Sequence, residues 1–148
     1  MSKSLKRVRA ALADLGLPDT TQEMPDSTRT AEDAARACGC ALDQIVKSMV
    51  FEREGALVLL LIAGGNQAPA ELGGAPLSRA DPQRVRAETG FAIGGVAPIG
   101  HLSALPVYLD PRLLEFDLVW AAAGTPRHVF SVNPDMLRTL ISAETLPL

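Results

Sequence analysis

The sequence predicts an α/β fold, α+β-like in its order of elements, with one domain in which a curved, mixed and largely antiparallel sheet is surrounded by short helices. With 148 residues, 47% of them apolar, the chain can bury one core without disulfides. Helical and strand patterns follow one another without a regular βαβα order, which favours a mixed sheet. No linker, repeat or low-complexity tract divides the chain, so we expect a single domain over residues 1–148.

Apolar spacing and end signals predict four short helices, over residues 3–15, 31–38, 82–89 and 134–140. The first is amphipathic, with leucine and valine at helical spacing. Thr30 is a suitable N-cap for the second helix, and Gly39 ends it. The last two begin with Asp81-Pro82 and Asn133-Pro134, in which the proline takes the first helical position.

Runs of β-branched and apolar residues predict strands over residues 45–51, 56–62, 105–109, 118–122 and 128–132. Because Glu52-Arg53-Glu54-Gly55 has turn chemistry, the first two strands form a β-hairpin. A turn of helix is expected at residues 111–115. Residues 64–75 follow no pattern that assigns them an element.

Composition excludes several classes of protein. The longest apolar run, residues 56–63, is too short to cross a bilayer, and the basic N-terminus is not followed by the apolar block of a signal peptide. We therefore expect a soluble, cytoplasmic protein. The formal charge of −3 argues against DNA as a partner, because wrapping a duplex needs many cationic side chains, but it leaves open a grip on one short RNA end.

The cysteine and histidine pattern predicts no metal and no cofactor. Cys38 and Cys40 are separated by one residue with neither histidine nearby, which lacks the usual zinc pattern, so we expect two free, buried thiols. No nucleophile elbow, phosphate-binding loop or metal-spaced histidine pair is present, which disfavours a serine-triad hydrolase or an NTPase.

The most informative stretch is Gly94-Gly95-Val96-Ala97-Pro98-Ile99-Gly100-His101. Its glycines permit positive φ angles and leave amide N–H groups uncovered, while the proline fixes one φ. Such a loop can offer backbone donors to a carbonyl or a phosphate. The alternative is a tight turn or bulge between strands. His101 is interpreted as a structural residue that caps or hydrogen-bonds the loop.

Lys47 is the other candidate, because strand alternation places it on one face with Met49 and Phe51, and Val46 and Ser48 on the other. A lysine on an apolar face is either an edge residue that extends to water or a partly desolvated ammonium that points into a pocket. In a pocket it would hold an anionic group or a developing oxyanion.

Three elements in this order resemble the YbaK-like prolyl-tRNA editing domains, which are small proteins or synthetase insertions. They are Lys47 in an apolar strand, the Gly94 loop after a short helix, and a late hairpin in which Ala122-Ala123-Gly124 leads to Asn133-Pro134-Asp135-Met136-Leu137. The resemblance covers roughly residues 30–140. The chain has alanines where many relatives of the cysteine-directed branch carry a serine before the late glycines, which weakens assignment to that branch.

The resemblance implies a YbaK-like fold and a trans-acting deacylase. Such an enzyme hydrolyses the ester that joins a small non-cognate amino acid to the 3′ end of tRNA, most often tRNA for proline. The implied partners are the mischarged tRNA and prolyl-tRNA synthetase. Ester cleavage without a metal is chemically reasonable, because the aminoacyl ester is already activated and positioning supplies much of the acceleration.

The resemblance also assigns roles to residues. It places a substrate-holding lysine at Lys47 and a substrate-positioning loop at residues 94–98. We expect catalytic roles for Lys47, Gly94, Gly95 and His128, and substrate binding by Val96, Ala97, Pro98 and Gly124.

His128 and Arg127, near the late hairpin, each have two interpretations. His128 follows Gly124 with a Gly-x-x-x-His spacing that suits relatives with a histidine near this hairpin, and the alternative is a structural histidine. Arg127 is interpreted as an exposed turn arginine, with contact to an RNA phosphate as the alternative. A non-catalytic module that binds a nucleotide or an aminoacyl-tRNA end is the rival function.

Overall fold

Local capping signals form the helices as the sequence predicts. The computed structural model describes residues 2–148 and contains α1 (Lys3–Asp14), α2 (Ala31–Cys38), α3 (Pro82–Thr89) and α4 (Pro134–Leu140). The Thr30 side chain accepts a hydrogen bond from the Asp33 amide at 3.0 Å, and Gly39 ends α2 in the left-handed conformation. No helix of the described chain is long and apolar enough to cross a membrane.

The sheet is mixed, as predicted. Its long strands are β2 (Ile45–Arg53) and β3 (Ala56–Ala63), which form the predicted hairpin around Glu54 and Gly55, both at positive φ. The late strands are β7 (Val107–Leu109), β8 (Val119–Ala122) and β9 (His128–Val132). Five strands of two residues were not predicted, namely β1 (Gln22–Glu23), β4 (Glu71–Leu72), β5 (Ala75–Pro76), β6 (Ser78–Arg79) and β10 (Glu144–Thr145).

The main sheet has the order β1-β9-β8-β2-β3-β7-β10, with β6 beside part of β2, and β4 and β5 form a separate pair. Neighbours β8 and β2 are parallel, as are β3 and β7 and also β7 and β10, while the other pairs are antiparallel. Short 3₁₀ turns at Leu42–Gln44 and Pro111–Glu115 precede β2 and β8.

The core lies on both faces of the central strand β3. Leu59 and Leu61 pack on the face covered by α1, together with Val8 and Leu12 of that helix. Leu60 and Ile62 pack on the other face with a smaller cluster. Because a strand buried on both faces leaves little room for polar side chains, each polar group beside it calls for an explanation.

Candidate functional site

A pocket opens where two parallel strands separate. β2 and β8 pair only at Ile45 with Trp120 and at Val46 with Ala121. Farther along that edge of β2, pairing resumes with β6 at Phe51. Residues 47–50 therefore have no strand partner on this side within the described chain. The gap forms a cavity of about 220 Å³.

Four parts of the chain form the walls of this pocket. They are residues 28–31 with Ala34 at the start of α2, residues 45–49 of β2, Gly94 with Val96, and residues 120–122 of β8 with Val129 of β9. The structure thus brings together Lys47, Gly94 and Val96 from the residues that the sequence singled out. Ala122 of the late hairpin joins them.

Lys47 lies in β2, on the same side as Met49 and Phe51, which pack against the smaller core cluster. This confirms the predicted alternation. The half-buried side chain does not extend into water as an edge lysine does, because its Nζ donates a hydrogen bond of 2.5 Å to the carbonyl oxygen of Asn66. An ammonium has three N–H donors, so two are left for other oxygens.

A buried carboxylate holds the loop that supplies this carbonyl. Asp110 is 1% exposed, and its Oδ2 accepts hydrogen bonds from the Ala63 amide at 3.0 Å and from Asn66 Nδ2 at 2.9 Å. Its Oδ1 accepts from the Arg112 amide at 2.9 Å. The carboxylate thereby fixes the end of β3 and the Asn66 backbone, which in turn holds Lys47.

Asp43 fixes the same loop from the other side. Its Oδ1 accepts from the Gly65 amide at 2.8 Å, and its Oδ2 accepts from Arg112 Nε at 3.0 Å. The hydrogen bond from Arg112 lowers the pKa of Asp43, with further contributions from the Gly65 amide and the charge of Lys47. Sequence reasoning missed Asp43, Asn66 and Asp110, because separate segments bring them together.

The glycine loop contributes less of its backbone than expected. Gly94 lines the pocket at φ +89°, a conformation that favours glycine. The Gly95 amide, however, donates to the Ala92 carbonyl at 2.9 Å and is therefore occupied. Of the two expected donors, only the Gly94 amide has no backbone acceptor among the described residues.

Ala97 and Pro98 lie behind the pocket wall and do not line it. Both are buried, and Pro98 faces a groove beside α1. The Ala97 carbonyl accepts a hydrogen bond of 2.7 Å from His101 Nε2, and the imidazole packs edge-on against Phe91. This confirms His101 as a hydrogen-bonding support of the loop. Burial lowers its pKa, against the opposing effect of the Ala97 hydrogen bond.

The late hairpin places Gly124 and His128 outside the pocket as well. An ideal Cβ on Gly124, at φ +94°, would lie 2.9 Å from the Ser4 backbone, so this glycine permits close packing of α1. The Nδ1 atom of His128 lies 2.6 Å from Thr125 Oγ1, beside a neighbouring hollow. Neither residue lines the candidate pocket.

Ser48 is a pocket residue that the sequence analysis did not select. It lies next to Lys47 in β2, and its hydroxyl is buried without a hydrogen-bond partner in the described chain. A buried unsatisfied hydroxyl is uncommon and calls for an explanation. Proximity to Lys47 in the sequence is the signal that could have indicated it.

The two thiols are free but only half-buried, whereas burial was expected. Burial, with a smaller effect of neighbouring Cys40, raises the pKa of the Cys38 thiol to about 11, which disfavours the nucleophilic thiolate. Within residues 2–148, no group of three or more His, Cys, Asp or Glu side chains could hold a metal ion.

Together these features define a mixed α/β domain with a small pocket lined by Lys47 and Gly94. The family model of the aminoacyl-tRNA editing domain matches residues 25–140. The chain belongs to this family, which confirms the resemblance to YbaK-like domains.

Individual relatives cover the chain to different extents. YwhH of Bacillus subtilis, a protein without a characterised function, is 33% identical over 139 residues, covering 90% of this chain and 88% of YwhH. The proline–tRNA ligase of Moorella thermoacetica is 37% identical over 100 residues, which cover 62% of this chain and 17% of the ligase. The crystal structure of a proposed trans-editing enzyme for prolyl tRNA synthetase superposes with a TM-score of 0.90 at 45% identity, over 98% of this chain and 96% of that one.

Proposed function

We propose that the chain is a trans-acting deacylase that hydrolyses the ester of mischarged tRNA, removing a small non-cognate amino acid from tRNA for proline. The observation that carries the proposal is the Lys47 ammonium in the wall of a small pocket, within a domain of the editing family. The likeness to a proposed trans-editing enzyme for prolyl tRNA synthetase supports the trans-acting assignment. The cytoplasm, where tRNA is charged, is the compartment that this function requires.

The size of the pocket suits an aminoacyl group. Its volume of about 220 Å³ lies below the roughly 300–1,000 Å³ of pockets that enclose drug-sized ligands. An alanyl, seryl or cysteinyl ester is small enough for such a space, with the terminal adenosine at its mouth. We propose that the walls exclude the ring of proline by steric conflict, because one methylene of apolar contact separates substrates by only about 1–3 kcal/mol.

In the proposed reaction, the Lys47 ammonium donates hydrogen bonds to the ester oxygens, where negative charge develops in the transition state. Water adds its oxygen to the acyl carbon, the bond from this carbon to the ribose oxygen breaks, and the ribose oxygen receives a proton. The products are the free amino acid and tRNA with its terminal hydroxyl restored. The Gly94 amide and the Ser48 hydroxyl are further donors at the wall. The proposed steps use no metal.

The test is the replacement Lys47→Met, which keeps an apolar stem and removes the ammonium. Loss of one preorganised donor to a developing oxyanion costs about 10²- to 10³-fold in rate, so we expect single-turnover deacylation of alanyl-tRNA for proline to fall by that factor. Lys6→Met is the matched control, because Lys6 is an exposed lysine of α1 outside the pocket. Equal rates for the two variants would refute the role of Lys47.

The same assay decides between catalysis and binding alone. A panel of tRNA for proline charged with alanine, serine, cysteine or proline identifies the substrate. Equal hydrolysis of the prolyl ester would refute the steric exclusion of the proline ring. Ester loss slower than the spontaneous rate would identify a protective binding module instead. Addition of prolyl-tRNA synthetase to the assay tests whether the two proteins act together.

A further inference from the structure

A second hollow, of about 430 Å³, lies next to the candidate pocket. It is lined by Ser27, Arg29, Thr125, Pro126, Arg127 and His128. Arg29 belongs to the walls of both cavities, so the pocket and the hollow are neighbours at this side chain. A ligand seated in the pocket can therefore extend into the hollow past Arg29.

The cationic groups of this hollow are available for an anion. Arg29 is exposed, and its guanidinium has no hydrogen bond or ion pair within residues 2–148. Arg127 is also exposed, and one N–H of its guanidinium donates to the Pro25 carbonyl at 2.9 Å, which orients the group and leaves its other donors unused. In the same described range, Lys3, Lys6, Arg79 and Arg86 are also unpaired, but they line neither cavity.

His128 can add a further donor. Thr125 Oγ1 accepts a hydrogen bond from the Arg127 amide at 3.2 Å, so its own hydrogen is free to donate to His128 Nδ1 at 2.6 Å. In the neutral imidazole the proton then lies on Nε2. Glu23 pairs with His128 across β1 and β9, and its negative charge repels an anion on that side. The arginines are therefore the main anion-binding groups.

We propose that Arg29 and Arg127 bind a backbone phosphate of the RNA strand whose aminoacylated end occupies the candidate pocket. This inference rests on the proposed function. A single-stranded RNA end carries one phosphate per nucleotide, and the guanidinium fork matches phosphate geometry. Because the whole chain has a formal charge of −3, attraction for RNA depends on local groups of cations such as this pair.

The experiment measures binding of an uncharged acceptor-stem minihelix with a CCA end, by fluorescence anisotropy at several salt concentrations. We expect Arg29→Ala/Arg127→Ala to weaken binding about tenfold at low salt, the effect of losing charge-assisted hydrogen bonds. The slope of log K against log salt should fall in magnitude by about 0.7 in the double variant, because one phosphate contact is lost. Arg86→Ala, another exposed and unpaired arginine, is the control. A double variant that matches this control in affinity and slope overturns the proposal.

Failure of this site can be told apart from failure of the proposed function. Alanyl-adenosine carries the ester but no RNA phosphate, so the arginine variant should lose about tenfold more kcat/KM on the charged minihelix than on this ester. Lys47→Met should lower hydrolysis of both substrates alike. If the wild type hydrolyses neither, the deacylase proposal fails, and minihelix affinity still decides the phosphate site. Thermal unfolding of each variant verifies its fold, and Arg127→Lys provides a second variant that keeps the charge.

Discussion

Replacing Asp110 with alanine tests whether this buried carboxylate fixes the loop behind Lys47. The change removes three hydrogen bonds, to the Ala63 amide, the Asn66 side chain and the Arg112 amide. Hydrogen bonds to charged groups contribute about 1.5–3 kcal/mol each. Ala63 is fully buried, so its amide loses its acceptor without access to water, whereas Asn66 and Arg112 are half-buried and can be solvated.

One full hydrogen bond and two partial ones give an expected loss of about 3 kcal/mol in the free energy of unfolding. Asp110→Asn should lose less, about 2 kcal/mol, because its amide offers one acceptor oxygen and turns an N–H group towards a donor. Both values are large compared with a typical surface substitution, which changes stability by about 0.5 kcal/mol or less.

Urea unfolding followed by the fluorescence of Trp120, the single tryptophan of the chain, measures this loss. Asp117→Ala is the control, because Asp117 is exposed and its side chain has no hydrogen bond to any described residue. The reasoning is refuted if Asp110→Ala is no less stable than Asp117→Ala while the dependence of the free energy on urea is unchanged.

Two further predictions concern single side chains. Ser48→Ala should leave the free energy of unfolding unchanged or raise it by up to about 1 kcal/mol, because no hydrogen bond is lost. If urea unfolding instead shows that the variant is less stable by more than this amount, the Ser48 hydroxyl does have a partner. Burial lowers the pKa of His101 in the folded protein. As the pH falls below about 6.5, the unfolded chain therefore binds more protons than the folded one, and the free energy of unfolding decreases by at most about 1.4 kcal/mol per pH unit. His101→Gln should lack this loss between about pH 7 and 5, and an unchanged pH dependence of its unfolding would exclude the effect.

Local signals made the helices and the long hairpin predictable. The capping residues Thr30 and Asn133 each accept a hydrogen bond from an amide three residues farther along, so their role depends on nearby sequence alone. Strands of two residues carry no periodic pattern. For example, β1 pairs with β9, about a hundred residues away, at Gln22 with Val129. Such pairs depend on the finished fold.

In the candidate site, too, local sequence patterns indicated some residues and not others. Alternation within one strand indicated the face on which Lys47 lies, and the glycine loop was visible in composition. Asp110 directly precedes the helical turn predicted at residues 111–115 and accepts from the Arg112 amide, but the sequence analysis did not select it. Its contact with Asn66 depends on the parallel pairing of β3 with β7, in which Leu61 lies beside Leu109. No pattern in either segment indicates that pairing.

The route by which Lys47 is held supports the proposal that this site binds a negatively charged oxygen. A carboxylate in direct contact with the ammonium would form an ion pair and cancel most of its field. Here the contact atom is the Asn66 carbonyl oxygen, which is neutral, and Asp110 holds Asn66 through its side-chain amide. The Asp110 carboxylate therefore stabilises the loop through Asn66, which lies between it and the Lys47 ammonium. The fold positions Lys47 through one of its three N–H donors, which leaves two for the substrate oxygen of the proposed reaction.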